Sequence, residues 1–106
     1  MVFDELKDRY GSYVAELVRQ ALTLEELGEL EIEELVAYFD LRAAKVYQEY
    51  RTRVDNPSSH NRPKEEVEEY LNVLRRRWQE AEELAHLVLA ADKVYREDES
   101  AAATGA

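Results

Sequence analysis

Apolar residues recur in the second half of the chain at alternating intervals of four and three positions. The series runs Val67, Leu71, Leu74, Trp78, Ala81, Ala85 and Val88. This heptad spacing is typical of a helix that packs along another helix. Pro63 suits a first helical turn because its nitrogen has no hydrogen to leave unpaired, and Lys93 and Arg96 complement the exposed carbonyls of a last turn. The pattern therefore predicts one helix from about residue 63 to 96.

A second heptad series precedes the first one along the chain. It runs Ile32, Val36, Phe39, Ala43, Val46 and Tyr50, and it predicts a helix over about residues 31–54. The intervening residues 55–63 include both prolines of the chain together with Asp, Asn and Ser, which favour turns. The chain should reverse there and form an antiparallel helical hairpin. Folding it symmetrically about residues 56–62 pairs Phe39 with Trp78, so we expect Trp78 to be mostly buried against Phe39.

An amphipathic pattern at about residues 3–22 predicts an N-terminal helix that packs on this hairpin. Gly11 lies inside the helix and costs about 1 kcal/mol relative to alanine, so it marks either a close helix approach or a weak point. Thr23 and Glu26 have the spacing of a capping box. They predict a short connecting helix, which Gly28 can terminate.

Composition agrees with one helical domain, residues 1–96, followed by a disordered tail at 97–106. Among 106 residues there are only three glycines and two prolines, and 45% of the residues are hydrophobic, as in helical bundles. Beyond residue 96 no apolar pattern remains for the chain to bury. The predicted fold class is therefore all-α: a long antiparallel helical hairpin with an N-terminal helix packed on it.

Charge and residue types narrow the choice of partners. The formal net charge is −10, which argues against nucleic acid or an anionic membrane as a partner, because both reward clustered positive charge. The absence of cysteine excludes disulfides and thiolate chemistry. There is no long apolar run and no basic-then-apolar N-terminus. We therefore expect neither a membrane span nor a secretory signal, and cytoplasmic residence is the default.

The predicted long helix is apolar on every side at residues 84–91. In the symmetric hairpin this segment extends past the end of the 31–54 helix, and one N-terminal helix can cover only one side of it. A large exposed apolar surface usually marks an interaction site. We therefore expect oligomerisation, as a homodimer or a larger assembly, to complete the bundle. The predicted interface residues are Leu17, Leu84, Leu87, Val88 and Leu89.

A Glu-x-x-His pair, Glu83 and His86, is the main candidate for metal chemistry. The symmetric hairpin places Glu34 opposite Glu83. In motif, these three residues resemble the ferritin-like proteins, particularly small members in which each chain is one helical hairpin and a dimer completes the site. The resemblance implies an iron site of the di-iron type, built between subunits because the three residues fall outside the seams. The alternative is that they belong to a solvated acidic face.

Three functions remain open from the sequence. The favoured one is a non-enzymatic structural or protein–protein interaction module that self-associates by helical packing, with no catalytic or cofactor-binding residues. The first alternative is the ferritin-like metal-binding protein. The second is a small acidic regulator that binds a basic surface of another protein, guided by its negative charge. The basic triplet at residues 75–77 does not form one patch, because successive helical residues point about 100° apart.

Overall fold

The computed structural model describes residues 1–56 and 62–104 as an elongated helical bundle, 64 Å long and 27 Å by 20 Å across. Within these ranges the chain forms four α-helices: α1, Phe3–Ala21; α2, Leu24–Glu29; α3, Leu35–Asp55; and α4, Lys64–Thr104. A short 3-10 helix, Ile32–Glu34, leads directly into α3. The described part of the chain contains no strand, which confirms the predicted all-α class. Residues 57–61 of the predicted turn lie outside the described residues.

α3 and α4 pack along each other as the two seams predict, but in a different register. The rings of Tyr47 and Trp78 lie 4.8 Å apart between centroids, and Phe39 shares a cleft with Ala81 and Leu84. The predicted pairing of Phe39 with Trp78 is therefore wrong by about one heptad. A seam repeats every seven residues, so sliding one helix by a heptad keeps the apolar faces together and changes only the partners.

The shifted register changes what covers the apolar segment of α4. The first half of α3 now lies beside this segment instead of ending before it. Val88 has no exposed surface and Ala85 is 8% exposed. The packing of α1 and α3 within one chain therefore buries part of the surface that we expected oligomerisation to cover.

Gly11 divides α1 into two segments that bend toward each other. Its φ of 86° and ψ of 162° lie outside the helical region, in a conformation that residues with a side chain rarely adopt. The Arg19 guanidinium lies 4.9 Å from the centre of the Phe3 ring, whereas these residues would be about 24 Å apart along a straight helix. Apart from its chain neighbours and the nearby backbone of its own helix, no atom of the described residues lies within 4 Å of the position that a Cβ would take at Gly11. The glycine therefore serves the bend, not a close approach between helices.

The capping box before α2 is confirmed. Thr23 N donates to Glu26 Oε1 over 3.0 Å, and Glu26 N donates to Thr23 Oγ1 over 3.1 Å. The predicted role of Gly28 is wrong, because the helix continues through it to Glu29 and ends at Leu30, whose backbone is extended. A helix can end on an extended residue when the next segment is held by other contacts, so a glycine in the left-handed region is not needed.

The core is concentrated where α1 covers the hairpin. The largest fully buried side chains are Leu6, Val18, Leu35, Phe39, Leu74 and Val88. All of them except Leu74 belong to one connected cluster formed by α1, the 3-10 helix, α3 and α4. Leu74 lies nearer the turn, where α3 and α4 pack without a third helix.

α4 is longer than the sequence pattern predicts. It continues through residues 97–104, which we expected to be a disordered tail, and residues 105–106 lie outside the described residues. Tyr95 Oη donates to Glu99 Oε1 over 2.7 Å across one turn, and three alanines follow, the residue with the highest helix propensity. Local propensity therefore extends a helix that has nothing left to bury. No helix in the described ranges is both long and apolar enough to cross a membrane.

Candidate functional site

Within one chain the structure does not group the predicted metal ligands, and a site between subunits stays a prediction. Glu34 Oε1 accepts a hydrogen bond from Glu31 N over 3.3 Å at the start of the 3-10 helix. His86 Nε2 lies 4.0 Å from Glu82 Oε1 instead. Among the described residues no three His, Cys, Asp or Glu side chains are grouped to hold a metal ion. The heptad shift is the reason, because it moves Glu34 about 10 Å along α4 from the predicted position opposite Glu83.

The predicted interface residues lie in different surroundings. Val88 has no exposed surface within its own chain, where it belongs to the core. Leu17 and Leu84 are partly buried and line a cleft of about 460 Å³ between α1, α3 and α4. Leu87 is partly buried and Leu89 is 38% exposed. Since they project about 160° apart around α4, a single flat contact cannot include both.

An apolar strip remains on the outer side of α4, and we call it the α4 strip. It consists of Leu84, Leu87, Ala91 and Val94. Their spacing of three, four and three residues confines them to a sector about 80° wide. Val94 is 58% exposed and the other three are partly buried. Leu84 and Ala91 also pack against the core of their own chain, so the open part of this narrow seam is the edge formed by Leu87 and Val94.

A buried polar cluster joins α1 to α4 on another side of the molecule. Asp92 is only 5% exposed. Its Oδ1 accepts a hydrogen bond from Tyr10 Oη over 2.8 Å, and its Oδ2 accepts one from Arg96 Nε over 2.7 Å. Each carboxylate oxygen thus has its own donor, and both helices are tied to one buried charge. We call the cluster of Arg9, Tyr10, Asp92, Tyr95 and Arg96 the polar junction.

Arg9 completes the polar junction beside the bend of α1. Its guanidinium lies 4.4 Å from the centre of the Tyr95 ring and 3.9 Å from Asp92 Oδ1. It also donates to Glu33 Oε1 over 3.3 Å. Its Nε is buried and has no hydrogen-bond partner among the described residues. Ring stacking and two neighbouring carboxylates offset the cost of withdrawing this charge from water.

The protonation states within the polar junction follow from burial and hydrogen bonding. Burial, together with the hydrogen bond to Asp92, raises the pKa of Tyr10 to about 12. Burial alone would raise the pKa of Asp92, but the hydrogen bonds from Arg96 and Tyr10 lower it below its usual value. At neutral pH a protonated phenol therefore faces an ionised carboxylate, which is a stable bonded pair and a poor general base or nucleophile.

We did not anticipate the polar junction from the sequence, although one signal was present. Ala85, Val88, Asp92 and Tyr95 continue the spacing of three, four and three residues. Asp92 is therefore a charged residue at a seam position, where burial requires a partner. Tyr10 and Arg9 carried no comparable signal, because their approach to Asp92 depends on the bend at Gly11.

An aromatic layer marks the part of the hairpin nearer the turn. Trp78 is partly buried; its ring lies 4.8 Å from that of Tyr47 and 5.8 Å from that of Tyr50, which is stacked at 14°. These contacts correct the predicted partner of Trp78, which is Tyr47 and Tyr50 instead of Phe39, whereas its partial exposure agrees with a mostly buried side chain. Tyr47 and Trp78 form one end of a second cleft between α3 and α4, about 380 Å³ in volume.

Comparisons of the chain with protein-family models, with curated proteins and with solved structures find no match. The features that bear on function are therefore those of the fold itself. They are the α4 strip, the polar junction and the cleft beside the aromatic layer.

Proposed function

We propose that the protein is a non-enzymatic helical interaction module that forms a homodimer through the α4 strip. The observation that carries this proposal is the open edge of the α4 strip, where Leu87 is partly buried and Val94 is 58% exposed, beside Leu84 and Ala91, which pack against the core. Apolar residues at heptad spacing gain stability by packing against a second helix. A contiguous patch of this kind usually marks an interaction surface.

The size pattern along the α4 strip supports a second copy of the chain as its partner. In an antiparallel pairing with a two-fold axis beside Leu87, that residue meets its own copy. In the same pairing Leu84 meets Ala91 of the second copy, so a large side chain faces a small one on both sides of the axis. Such self-complementarity is what an isologous contact requires.

Charges at the two ends of the α4 strip fit the same pairing. Arg76 precedes the strip and Asp98 follows it, and both are exposed on the strip's side of α4. The axis beside Leu87 brings Arg76 of one copy next to Asp98 of the other, twice per dimer. Two chains that each carry a net charge of −10 repel one another, so local pairing of opposite charges favours this orientation over a parallel one.

The polar junction supports a structural role for the rest of the molecule. Its groups bond to one another across α1 and α4, which holds the bent helix against the core. Anchoring α1 keeps it on one side of α4 and leaves the α4 strip open. The contact between two exposed strips is small, so we expect a dissociation constant on the order of 10 µM.

Sedimentation equilibrium tests the proposal directly. The wild-type chain of 12.4 kDa should show a mass approaching twice that value as concentration rises. Leu87→Glu should shift it to the monomer without loss of helicity, and Val94→Glu should do the same at a position that is exposed in the monomer. Leu41→Glu is the matched control, because Leu41 is 57% exposed on α3 and lies away from the strip. A wild-type monomer at high concentration, or dimers that survive both strip substitutions, would refute the proposal.

A further inference from the structure

The cleft beside the aromatic layer has an apolar floor and a charged rim. Its floor includes the small side chains of Ala43, Ala44 and Ala85, which leave a gap between α3 and α4. Tyr47 and Trp78 form an aromatic wall at one end. No residue of α1 lines the cleft. Its volume of about 380 Å³ is large enough for a small organic group.

The charge on the rim of the cleft is negative. Asp40, Glu82 and His86 line it together with the apolar residues, and no lysine or arginine among the described residues does. Asp40 is exposed and makes no ion pair within residues 1–56 and 62–104. Glu82 Oε1 lies 4.0 Å from His86 Nε2. The cleft therefore combines aromatic faces with carboxylates, which is a donor set for an organic cation.

The same donor set already holds a cation elsewhere in the molecule. At the polar junction, the Arg9 guanidinium lies 4.4 Å from the centre of the Tyr95 ring and within ion-pair distance of Glu33 and Asp92. Two aromatic rings, those of Tyr95 and Tyr10, and two carboxylates therefore surround this guanidinium of the chain itself. The cleft presents an aromatic wall and two carboxylates on its outer surface.

We propose that this cleft binds the guanidinium of an arginine side chain presented by a partner protein. A planar guanidinium stacks on the face of an indole or phenol and donates hydrogen bonds to carboxylates at its edge. A lysine ammonium is more strongly hydrated and has no flat face to stack, so it binds less well. The net charge of −10 steers a basic partner toward this surface.

The aromatic layer provides a rigid wall for such a ligand. Tyr50 stacks on Trp78 at 14° and fixes the indole, but it does not line the cleft. Tyr47 is tilted by 47° to the indole and is 40% exposed. Trp78 is the one tryptophan of the chain, so its fluorescence reports on the cleft without any label.

Titration with three blocked tripeptides tests the assignment. Acetyl-Gly-Arg-Gly-amide should change the Trp78 emission saturably, with a dissociation constant on the order of 1 mM for so small a probe. The lysine peptide of equal charge should bind several-fold more weakly, and the neutral glutamine peptide should give no saturable change. Equal binding of the lysine peptide would contradict a guanidinium site, and a linear response to all three would contradict any site.

Two isosteric variants test whether the arginine peptide binds in this cleft. Asp40→Asn and Glu82→Gln should each weaken binding of the arginine peptide about three- to fivefold, as expected for partly exposed ion pairs. Glu69→Gln removes the same charge from an exposed position of α4 outside the cleft and should leave binding unchanged. Leu87→Glu should also bind the peptide normally, which separates this site from the dimer contact. Equal affinity in Asp40→Asn, Glu82→Gln and wild type would overturn the proposal.

Discussion

The two ends of the α3–α4 hairpin are built from the same heptad pattern but are packed differently. At the end covered by α1, Phe39 is 1% exposed and Val88 is not exposed at all. Toward the turn, Leu74 is buried, but Tyr47, Tyr70 and Val73 are 38–40% exposed. Two helices make a seam with open sides, and a third helix converts the seam into a core.

This difference indicates where the free energy of unfolding resides. The α1-covered end contains the connected apolar core, the polar junction and the bend at Gly11. The end near the turn contains stacked rings that keep one edge in solvent. We expect substitutions at the covered end to cost more stability than comparable ones near the turn. All unfolding measurements should use one protein concentration, because dimerisation would add to the apparent stability.

The largest effect should come from aromatic truncation at the two ends. Phe39→Ala should lower the free energy of unfolding by about 3–5 kcal/mol, since it removes a fully buried ring and leaves a cavity. Trp78→Ala should cost about half as much, because part of the indole is already in solvent. Urea denaturation followed by circular dichroism measures both. An equal or greater loss of stability in Trp78→Ala would contradict the conclusion that the α1-covered end contributes more stability than the end near the turn.

The next effect concerns the charge buried under α1. Asp92→Ala should cost about 2–3 kcal/mol, because it leaves the Tyr10 hydroxyl without an acceptor and Arg9 and Arg96 without their shared carboxylate. Asp40→Ala is the matched control, because Asp40 is exposed, and it should stay within about 0.5 kcal/mol of wild type. Urea denaturation at neutral pH compares the two variants. Equal stabilities would mean that the polar junction does not hold α1.

Alanine substitutions at Gly11, in the bend of α1, and at Gly28, within α2, should change stability in opposite directions. Gly11→Ala should destabilise the fold by about 1–2 kcal/mol, because its φ is in a region that costs an L residue energy. Gly28→Ala should stabilise it by about 0.5–1 kcal/mol, because Gly28 lies within helix α2 with open space around it. Thermal unfolding distinguishes the two. A stabilising Gly11→Ala would show that α1 is straight.

The last expected effect is a pH dependence at the polar junction. Tyr10→Phe should lose about 1 kcal/mol at neutral pH, because one buried hydrogen bond to a charged acceptor is removed. The pKa of Tyr10 is raised from 10.0 to about 12 in the fold. Its stabilising contribution is therefore fully present below pH 10 and is lost as pH rises through 12.

Urea denaturation at several pH values between neutral pH and pH 12 tests the direction of this change in stability. Wild type should lose more stability over the alkaline range than Tyr10→Phe does. Tyr13→Phe is the matched control, because Tyr13 is 71% exposed on the same helix, and it should follow the wild-type curve. Parallel curves for wild type and Tyr10→Phe would contradict the burial of this phenol.

The sequence predicted the positions of the helices well, but it did not predict which residues of neighbouring helices face each other. The reasons are physical. The heptad spacing and the Thr23 capping box are local patterns, and both led to helices that the structure contains. The pairing of Phe39 is not local, because registers one heptad apart bury the same faces. That ambiguity placed Glu34 opposite Glu83 and so added a third residue to the metal hypothesis, which began from the Glu83–His86 pair. The polar junction was hidden because it depends on the bend at Gly11, which no periodicity reveals.

The central claim is that two copies of α4 pair antiparallel through the α4 strip, and a charge swap measured by sedimentation equilibrium tests it most directly. Arg76→Glu and Asp98→Arg should each weaken the dimer about tenfold, because each turns two attractive contacts into repulsive ones. The double variant restores opposite charges across the axis and should recover wild-type affinity. If the double variant is as weak as the single ones, or if neither single substitution changes the dimer, the antiparallel pairing is wrong.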